Sequence, residues 1–251
     1  MNEQTIQAEM AGKGALKLRL ATHLDEVRAA QRLRYRIFGE DMGAQLHSAI
    51  PGHDVDDFDD HCRHLLVWDE ATQSIAGYTR ILDNEGAWAA GGFYSETEFE
   101  IGTVLSQPGR FMELGRTCIH PDYRNGITIA TLWMGVAEIL QSGRYDYLIG
   151  CGSIGLDRGV DGVHALLGRL RTEQLLESGL GVRSRQPLPQ AVIDEAAAAP
   201  MPPLLKAYFR LGARVAADPY WDRDFNVADV FILLDQQRVA QRYARHFLVA
   251  A

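Results

Sequence analysis

Residues 110–133, RFMELGRTCIHPDYRNGITIATLW, constrain this chain more than any other stretch. The first half reads as a strand, His120-Pro121 breaks it, and Arg124-Asn125-Gly126 opens an apolar run long enough for a helix. The first amides of such a helix have no intrahelical acceptor, and its dipole makes that end positive, so an anion is favoured there. Gly126 admits close approach of backbone to a ligand, and the Arg124 guanidinium matches phosphate oxygens. Arg124, Asn125, Gly126, Ile127 and Thr128 are therefore candidate phosphate-binding residues. The same pattern also describes an ordinary strand–turn–helix corner.

The rest of the chain mixes strands and helices. Residues 16–20 alternate with period two, as a strand does, and Thr22 followed by Asp25 reads as a helix start that carries the chain to about Phe38. Residues 39–63 are too polar and irregular for a regular element. Strands at 64–68 and 75–82 form a hairpin, and Gly86, Gly91 and Gly92 mark a mobile loop. A strand at 111–119 and a helix at 125–142 precede a short buried strand at 145–151 and a helix at 160–177. Residues 183–203 hold five prolines around an alanine run and read as a crossover. A short helix at 204–211, strands near 213–217 and 229–234, and a basic helix carrying Arg238, Arg242 and Arg245 close the chain. This order predicts an α/β (α+β) sandwich, a central mixed sheet flanked by helices, with 1–14 as a flexible N-terminus and 15–251 as a single domain.

Charge and composition exclude several functions. A net charge of −8 argues against a nucleic-acid partner, which needs a basic field. No apolar run approaches the roughly 20 residues that span a bilayer, and no signal peptide is visible. Cys62, Cys118 and Cys151 cannot build a disulfide framework, so a cytoplasmic location is expected.

Three groups could carry chemistry. Glu113 and Arg116 lie three apart on a strand and point to opposite faces unless a bulge intervenes. The run Asp54-Val55-Asp56-Asp57-Phe58-Asp59-Asp60 concentrates negative charge and calls for cations among it, such as a substrate with two amino groups. A solvated acidic loop is the alternative, and the glycine and closing glutamate of an EF-hand are missing. Cys118 with His120 would suit a thiol nucleophile, although cysteines in apolar strands are commonly inert. His61-Cys62-Arg63-His64 lacks a second ligand pair for zinc, so no metal site is expected.

Leu-Gly-Arg-x-x-x-His-Pro-Asp-Tyr-Arg-Asn-Gly, from Leu114 to Gly126, resembles motif A of the GNAT N-acyltransferase superfamily, whose loop holds the phosphates of an acyl thioester carrier. More closely, the chain resembles the bacterial ornithine N-acyltransferases that begin ornithine-lipid synthesis. These are similar in turn to acyl-homoserine-lactone synthases and N-acyl amino acid synthases. The likeness extends roughly over residues 16–247. It implies a GNAT-like fold and transfer of a long 3-hydroxyacyl chain from acyl carrier protein to the α-amine of ornithine, giving a lyso-ornithine lipid. The implied donor group is 4'-phosphopantetheine, on the carrier protein or as CoA, with no permanently bound cofactor.

Aminolysis of a thioester needs a proton acceptor for the amine and stabilisation of the carbonyl oxygen. The resemblance gives Glu113 the first role, and Arg116 steadies the strand or contacts the donor. By the same resemblance Asp54, Asp56 and Asp59 match an acidic triad that faces arginines and shapes the acceptor pocket. Arg34, Phe38 and Arg80 match further motif positions. One departure stands out: Gly126 is followed by Ile127 and Thr128, without the usual second small residue. A reduced loop suits the single phosphodiester of a carrier protein. The lipid product implies transient contact with the inner membrane surface. Glycine, another amino acid or S-adenosylmethionine as acceptor, and a non-catalytic acyl-carrier-binding module, remain as alternatives.

Overall fold

The computed structural model describes residues 16–191, 196 and 198–237. Its elements begin with β1 (Leu16–Leu20), α1 (Leu24–Arg34), β2 (Arg63–Asp69), β3 (Ser74–Asp83), α2 (Asn84–Ala90), α3 (Ser95–Glu98), β4 (Phe99–Glu100) and α4 (Gly102–Leu105). They continue with β5 (Phe111–Ile119), α5 (Ile127–Ser142), β6 (Tyr147–Gly155), α6 (Gly159–Gly168), β7 (Arg183–Ser184), α7 (Pro203–Leu211), β8 (Arg214–Val215), β9 (Tyr220–Asp222) and β10 (Val227–Asp235). This is a mixed α/β architecture of sheet strands flanked by helices. The chain divides into two compact units, one holding the described residues up to Gly91 together with Leu114–Arg144, the other Gly92–Glu113 and the described residues from Tyr145 onward.

In the first unit the strands run in the order β1-β2-β3-β5. β1 pairs antiparallel with β2 and β2 with β3, the second ladder shifting register between Val67 and Trp68. β3 is buried along nearly its whole length, as a strand covered on both faces must be. Helix α5 packs on β1, β2 and β3. Its buried residues Leu132, Gly135, Val136, Ile139 and Leu140 recur at helical spacing. Gly135 matters to that seam: a Cβ there would lie 3.0 Å from both methyls of Leu18 and 3.2 Å from Leu65.

In the second unit β10 pairs antiparallel with β6 along all nine residues, from Val227–Gly155 to Asp235–Tyr147. β8 and β9 also pair with β10. Phe99, Phe111, Phe231 and Leu148 are fully buried around it. Leu205 of α7 presses on β6 at Gly152, where a Cβ would meet its Cδ2 at 2.6 Å. The proline-rich crossover is held by backbone: Arg185 N–H donates to the Glu98 carbonyl, Leu188 N–H to that of Pro219, and Trp221 N–H to that of Gln186.

Several expected elements differ. Gly86 and Gly91 do not mark a loop but belong to α2 and its end. Asp83 caps the helix by accepting from Gly86 N–H at 3.0 Å, and Gly91 closes it with φ +85. The N-cap position of the first helix falls on His23, whose side chain makes no capping bond, rather than on Thr22, whose N–H donates to Glu26 Oε2 at 2.8 Å. The chain then widens into a π-helical segment, Tyr35–Asp41. The helix expected at 160–177 stops at Gly168, and a separate 3-10 turn follows at Thr172–Gln174, where the Gln174 side chain accepts from Arg171 N–H at 3.0 Å. β6 runs four residues further than expected because β10 keeps pairing with it. The expected N-terminal segment 1–14 and the helix carrying Arg238, Arg242 and Arg245 lie outside the described residues.

Candidate functional site

The acidic run and its arginines meet in the first unit as a closed ring of alternating charge. Arg34 Nε donates to Asp54 Oδ2 at 2.8 Å and its Nη1 to Asp59 Oδ1 at 2.6 Å. Arg80 Nη1 donates to Asp59 Oδ1 at 2.8 Å and, by a shorter contact, to Asp56. Arg116 closes the circuit, with Nε 3.2 Å from Asp54 and Nη2 3.3 Å from Asp56. Three carboxylates are thus met by three guanidiniums of the same chain. The cations that the acidic run demands are Arg34, Arg80 and Arg116.

Local structure explains how each side chain arrives. Arg34 ends α1 at the onset of the π-helical segment and is fully buried, with Phe38 also buried in that segment. Arg80 is on β3, and Gly115 opposite it leaves room, since a Cβ there would sit 3.2 Å from Arg80 Nε. Arg116 has φ +53, a left-handed conformation inside β5 that breaks the strand's alternation. Gln31 Nε2 adds a bond to Asp59 at 2.9 Å, and Asp54 N–H donates to the Gln31 carbonyl.

Burial alone would push the Asp59 carboxyl up. Arg34 and Arg80 outweigh it and hold the group at about 2. Asp56 is lowered in the same way, burial being overcome by Arg80 and Arg116. His64 sits beneath the ring, with Nε2 3.0 Å from the Asp59 carbonyl and Nδ1 2.7 Å from the Tyr78 hydroxyl. Burial lowers its pKa, so the neutral ring is favoured. The carbonyl can only accept, so Nε2 carries the proton and Nδ1 accepts from Tyr78.

The candidate phosphate loop occupies the turn between β5 and α5. Gly126 is the N-cap residue of α5 with φ +86, and nothing lies within 4 Å of where its Cβ would be. The Asn125 side chain accepts from Ile127 N–H at 3.1 Å. Thr128 is buried, while Arg124 is exposed, with Nε 3.3 Å from the Ile119 carbonyl and Nη2 3.9 Å from Asp41. The Ile127 amide is thus already taken by Asn125, and the later first-turn amides lie at the same helix start as an exposed guanidinium.

Glu113 belongs to the second unit. Its Oε2 accepts from Tyr94 N–H at 2.7 Å, and its Oε1 accepts from Ser95 N–H at 2.7 Å and from the Ser95 hydroxyl. Ser95 Oγ also lies 3.4 Å from Cys151 Sγ. Burial pushes the Cys118 thiol up to about 12 and also raises Cys151, so neither is a ready thiolate.

Sequence reasoning missed Ser95 and the grouping of Glu98, Asp222 and Asp229, whose carboxylate oxygens all lie within 4.8 Å of one another. Asp229 carried a usable signal, an acid inside the apolar strand VADVFILLD. Among the described residues no helix is long and apolar enough to cross a membrane.

Residues 33–134 match the family described as Acetyltransferase (GNAT) domain. A protein of Brucella abortus named L-ornithine N(alpha)-acyltransferase is 36% identical, over 93% of this chain and 89% of its own length. One of the same name from Rhizobium meliloti is 38% identical, over 92% of this chain and 84% of that protein. Among solved structures, FeeM, an N-acyl amino acid synthase from uncultured soil microbes, superposes with a TM-score of 0.52 at 10% identity, covering 88% of this chain and 91% of that one. The AHL synthase LasI gives 0.51 at 13% identity, covering 88% and 90%. These last two show the fold.

Proposed function

The chain belongs to the L-ornithine N(alpha)-acyltransferase family, and on that premise we propose that it acylates the α-amine of L-ornithine with a long 3-hydroxyacyl chain carried by acyl carrier protein. It is an amino-acid N-acyltransferase. The observation that carries the acceptor assignment is the match to relatives of that name along nearly the whole length of both chains.

The ornithine amine attacks the thioester carbonyl carbon, the C–N bond forms, the C–S bond breaks, and the carrier thiol leaves with a proton. Glu113 accepts the proton of the amine, directly or through the Ser95 hydroxyl that already bonds it. The amides at the start of α5, with Arg124 beside them, hold the phosphate of the donor arm. Its single phosphodiester is the better match to a loop where the bulky Ile127 and Thr128 follow Gly126. The ring of Asp54, Asp56 and Asp59 with Arg34, Arg80 and Arg116 shapes the acceptor side as a neutral, rigid wall. The product, a lyso-ornithine lipid, carries one long chain and would enter the inner membrane surface after release.

Release of free thiol from 3-hydroxypalmitoyl-carrier protein, with ornithine, glycine, lysine and S-adenosylmethionine compared, tests the reading. Turnover confined to ornithine, with a lyso-ornithine lipid by mass, is expected. Equal rates with long-chain acyl-CoA would remove the carrier-protein donor. Preference for another amine would remove ornithine.

A further inference from the structure

In the second unit α3 ends at Glu98, and β9 and β10 bring Asp222 and Asp229 to it. A carboxylate oxygen of each lies within 4.8 Å of the others. Glu98 is 3% exposed and Asp229 is 4% exposed, so water screens them little. The Glu98 carboxyl takes hydrogen bonds from Cys151 and Tyr94, yet its Oε2 meets no donor within the described structure. A buried carboxylate oxygen without a donor costs free energy, and two further carboxylates beside it raise that cost. Burial first, and Asp229 second, push Glu98 well above the usual carboxylate range.

Such a pocket favours a compact cation that brings its own donors. A primary ammonium has three N–H groups diverging from one centre, matched to three surrounding carboxylate oxygens. The pocket also joins the candidate base through side chains. Cys151 bonds Glu98, Ser95 Oγ lies 3.4 Å from Cys151 Sγ, and Ser95 bonds Glu113. An acceptor whose reacting amine is served by Glu113 would thus carry a second amine towards these acids.

We propose that Glu98, Asp222 and Asp229 form the subsite for the side-chain ammonium of a diamino acid acceptor, and so select ornithine over monoamino acids. This rests on the acyltransfer reading given above. It assigns selection to a different acidic group from Asp54, Asp56 and Asp59, whose charge the arginines already balance. A site that hydrogen-bonds a substrate group rejects the analogue lacking it, because its own buried polar atoms are then left unpaired.

The test compares kcat/KM for ornithine with that for norvaline, which has the same carbon chain without the terminal amine. The full-length chain is used with 3-hydroxyacyl-carrier protein as donor. The wild-type ratio is expected to exceed about 30-fold, the value of one charge-assisted hydrogen bond at a buried site. In Glu98→Gln and Asp229→Asn it is expected to collapse to within about threefold, with the loss in KM. Glutamine mimics the protonated carboxyl at Glu98, so that variant should fold, and the half-buried Asp222→Asn gives a milder third case. Thermal shift supplies a readout apart from turnover: ornithine, but not norvaline, raises the wild-type Tm, and neither raises that of Glu98→Gln. Turnover of both amines at equal rates by the wild type would overturn the subsite while leaving acyl transfer intact. So would an unchanged ratio in folded variants, or stabilisation by Mn²⁺ or Ca²⁺ but not by ornithine. Absence of turnover with any amine would overturn acyl transfer and the subsite together.

Discussion

Ser95 gives Glu113 both of its donors, the backbone N–H at 2.7 Å and the hydroxyl, and both end on Oε1. The Tyr94 N–H takes Oε2 at 2.7 Å, so the carboxylate acts as an anchor for the start of α3 as well as a candidate base. These two roles separate by substitution. Glu113→Gln presents an amide N–H₂ where one oxygen accepted, leaving a buried backbone donor unmet. A stability loss of about 2 kcal/mol is expected. If Glu113 also takes the proton, kcat falls about 100-fold with donor KM unchanged. Ser95→Ala keeps the charge and both backbone bonds and should lose less than about 10-fold. Full turnover by a folded Gln variant would reduce Glu113 to an anchor.

The charge ring makes the opposite demand, since each arginine serves two carboxylates. Arg34→Ala would leave Asp54 and Asp59 buried without their shared partner. The expected cost is about 3–5 kcal/mol, read as a fall in the denaturation midpoint at unchanged slope. Arg34→Lys cannot span both acids with a fork and should recover only part of it. An alanine variant as stable as wild type would show that the ring is not held through Arg34.

Acid should dismantle this region in two stages. Burial lowers His64 below its usual 6.5, so the folded state favours the neutral ring, and the contribution, full above 6.5, is lost as pH falls below it through the depressed folded-state value. Asp59 is held at about 2 against an ordinary 3.8, so its contribution is full above about pH 4 and is lost as pH falls towards 2. Asp56 shifts in the same direction. Urea midpoints measured against pH should therefore decline first below pH 6.5 and again below pH 4. His64→Gln is expected to abolish the upper stage alone. A wild-type profile flat from pH 7 to pH 4 would contradict this.

The sequence showed some of this arrangement and hid the rest for physical reasons. The β5–turn–α5 corner was legible because punctuation and periodicity are local, and β5 and the α5 turn follow the expectation closely. That the acids face arginines came from resemblance rather than spacing. The partners of Asp59 are on α1 and β3, and only the fold brings them together. Glu113 and Arg116 turn to different partners, Ser95 for one and Asp54 with Asp56 for the other, and the φ of +53 at Arg116 is a backbone feature no residue type announces. Gly86 misled because a glycine inside a helix is uncommon. Here the close His61 carbonyl, 2.4 Å from a Cβ at that position, requires one. Glu98 and Asp229 stand far apart in the chain, so no motif could have joined them.

Cysteine chemistry should be dispensable. The Cys118 thiol is buried and pushed up to about 12, leaving negligible thiolate at neutral pH. Cys118→Ala is expected to keep kcat within about threefold, since the small cavity costs stability rather than turnover. Loss of activity in a folded variant would reopen a covalent route.

Gly126 provides the sharpest test of the donor site. Its φ of +86 disfavours any L side chain, yet open space surrounds the position, so Gly126→Ala should cost only about 1 kcal/mol of stability. The functional effect should be larger. On the proposed reading a methyl group would stand in the path of the donor phosphodiester to the first amides of α5, so donor KM should rise about 10-fold or more while ornithine KM stays constant. Running carrier-protein and CoA donors in parallel adds discrimination, because both share the phosphate next to the pantetheine and should weaken together. Arg124→Ala, which removes an exposed guanidinium from the same entrance, should raise donor KM without the backbone strain. If both variants keep wild-type donor KM, the start of α5 is a structural corner and the donor phosphate is held elsewhere.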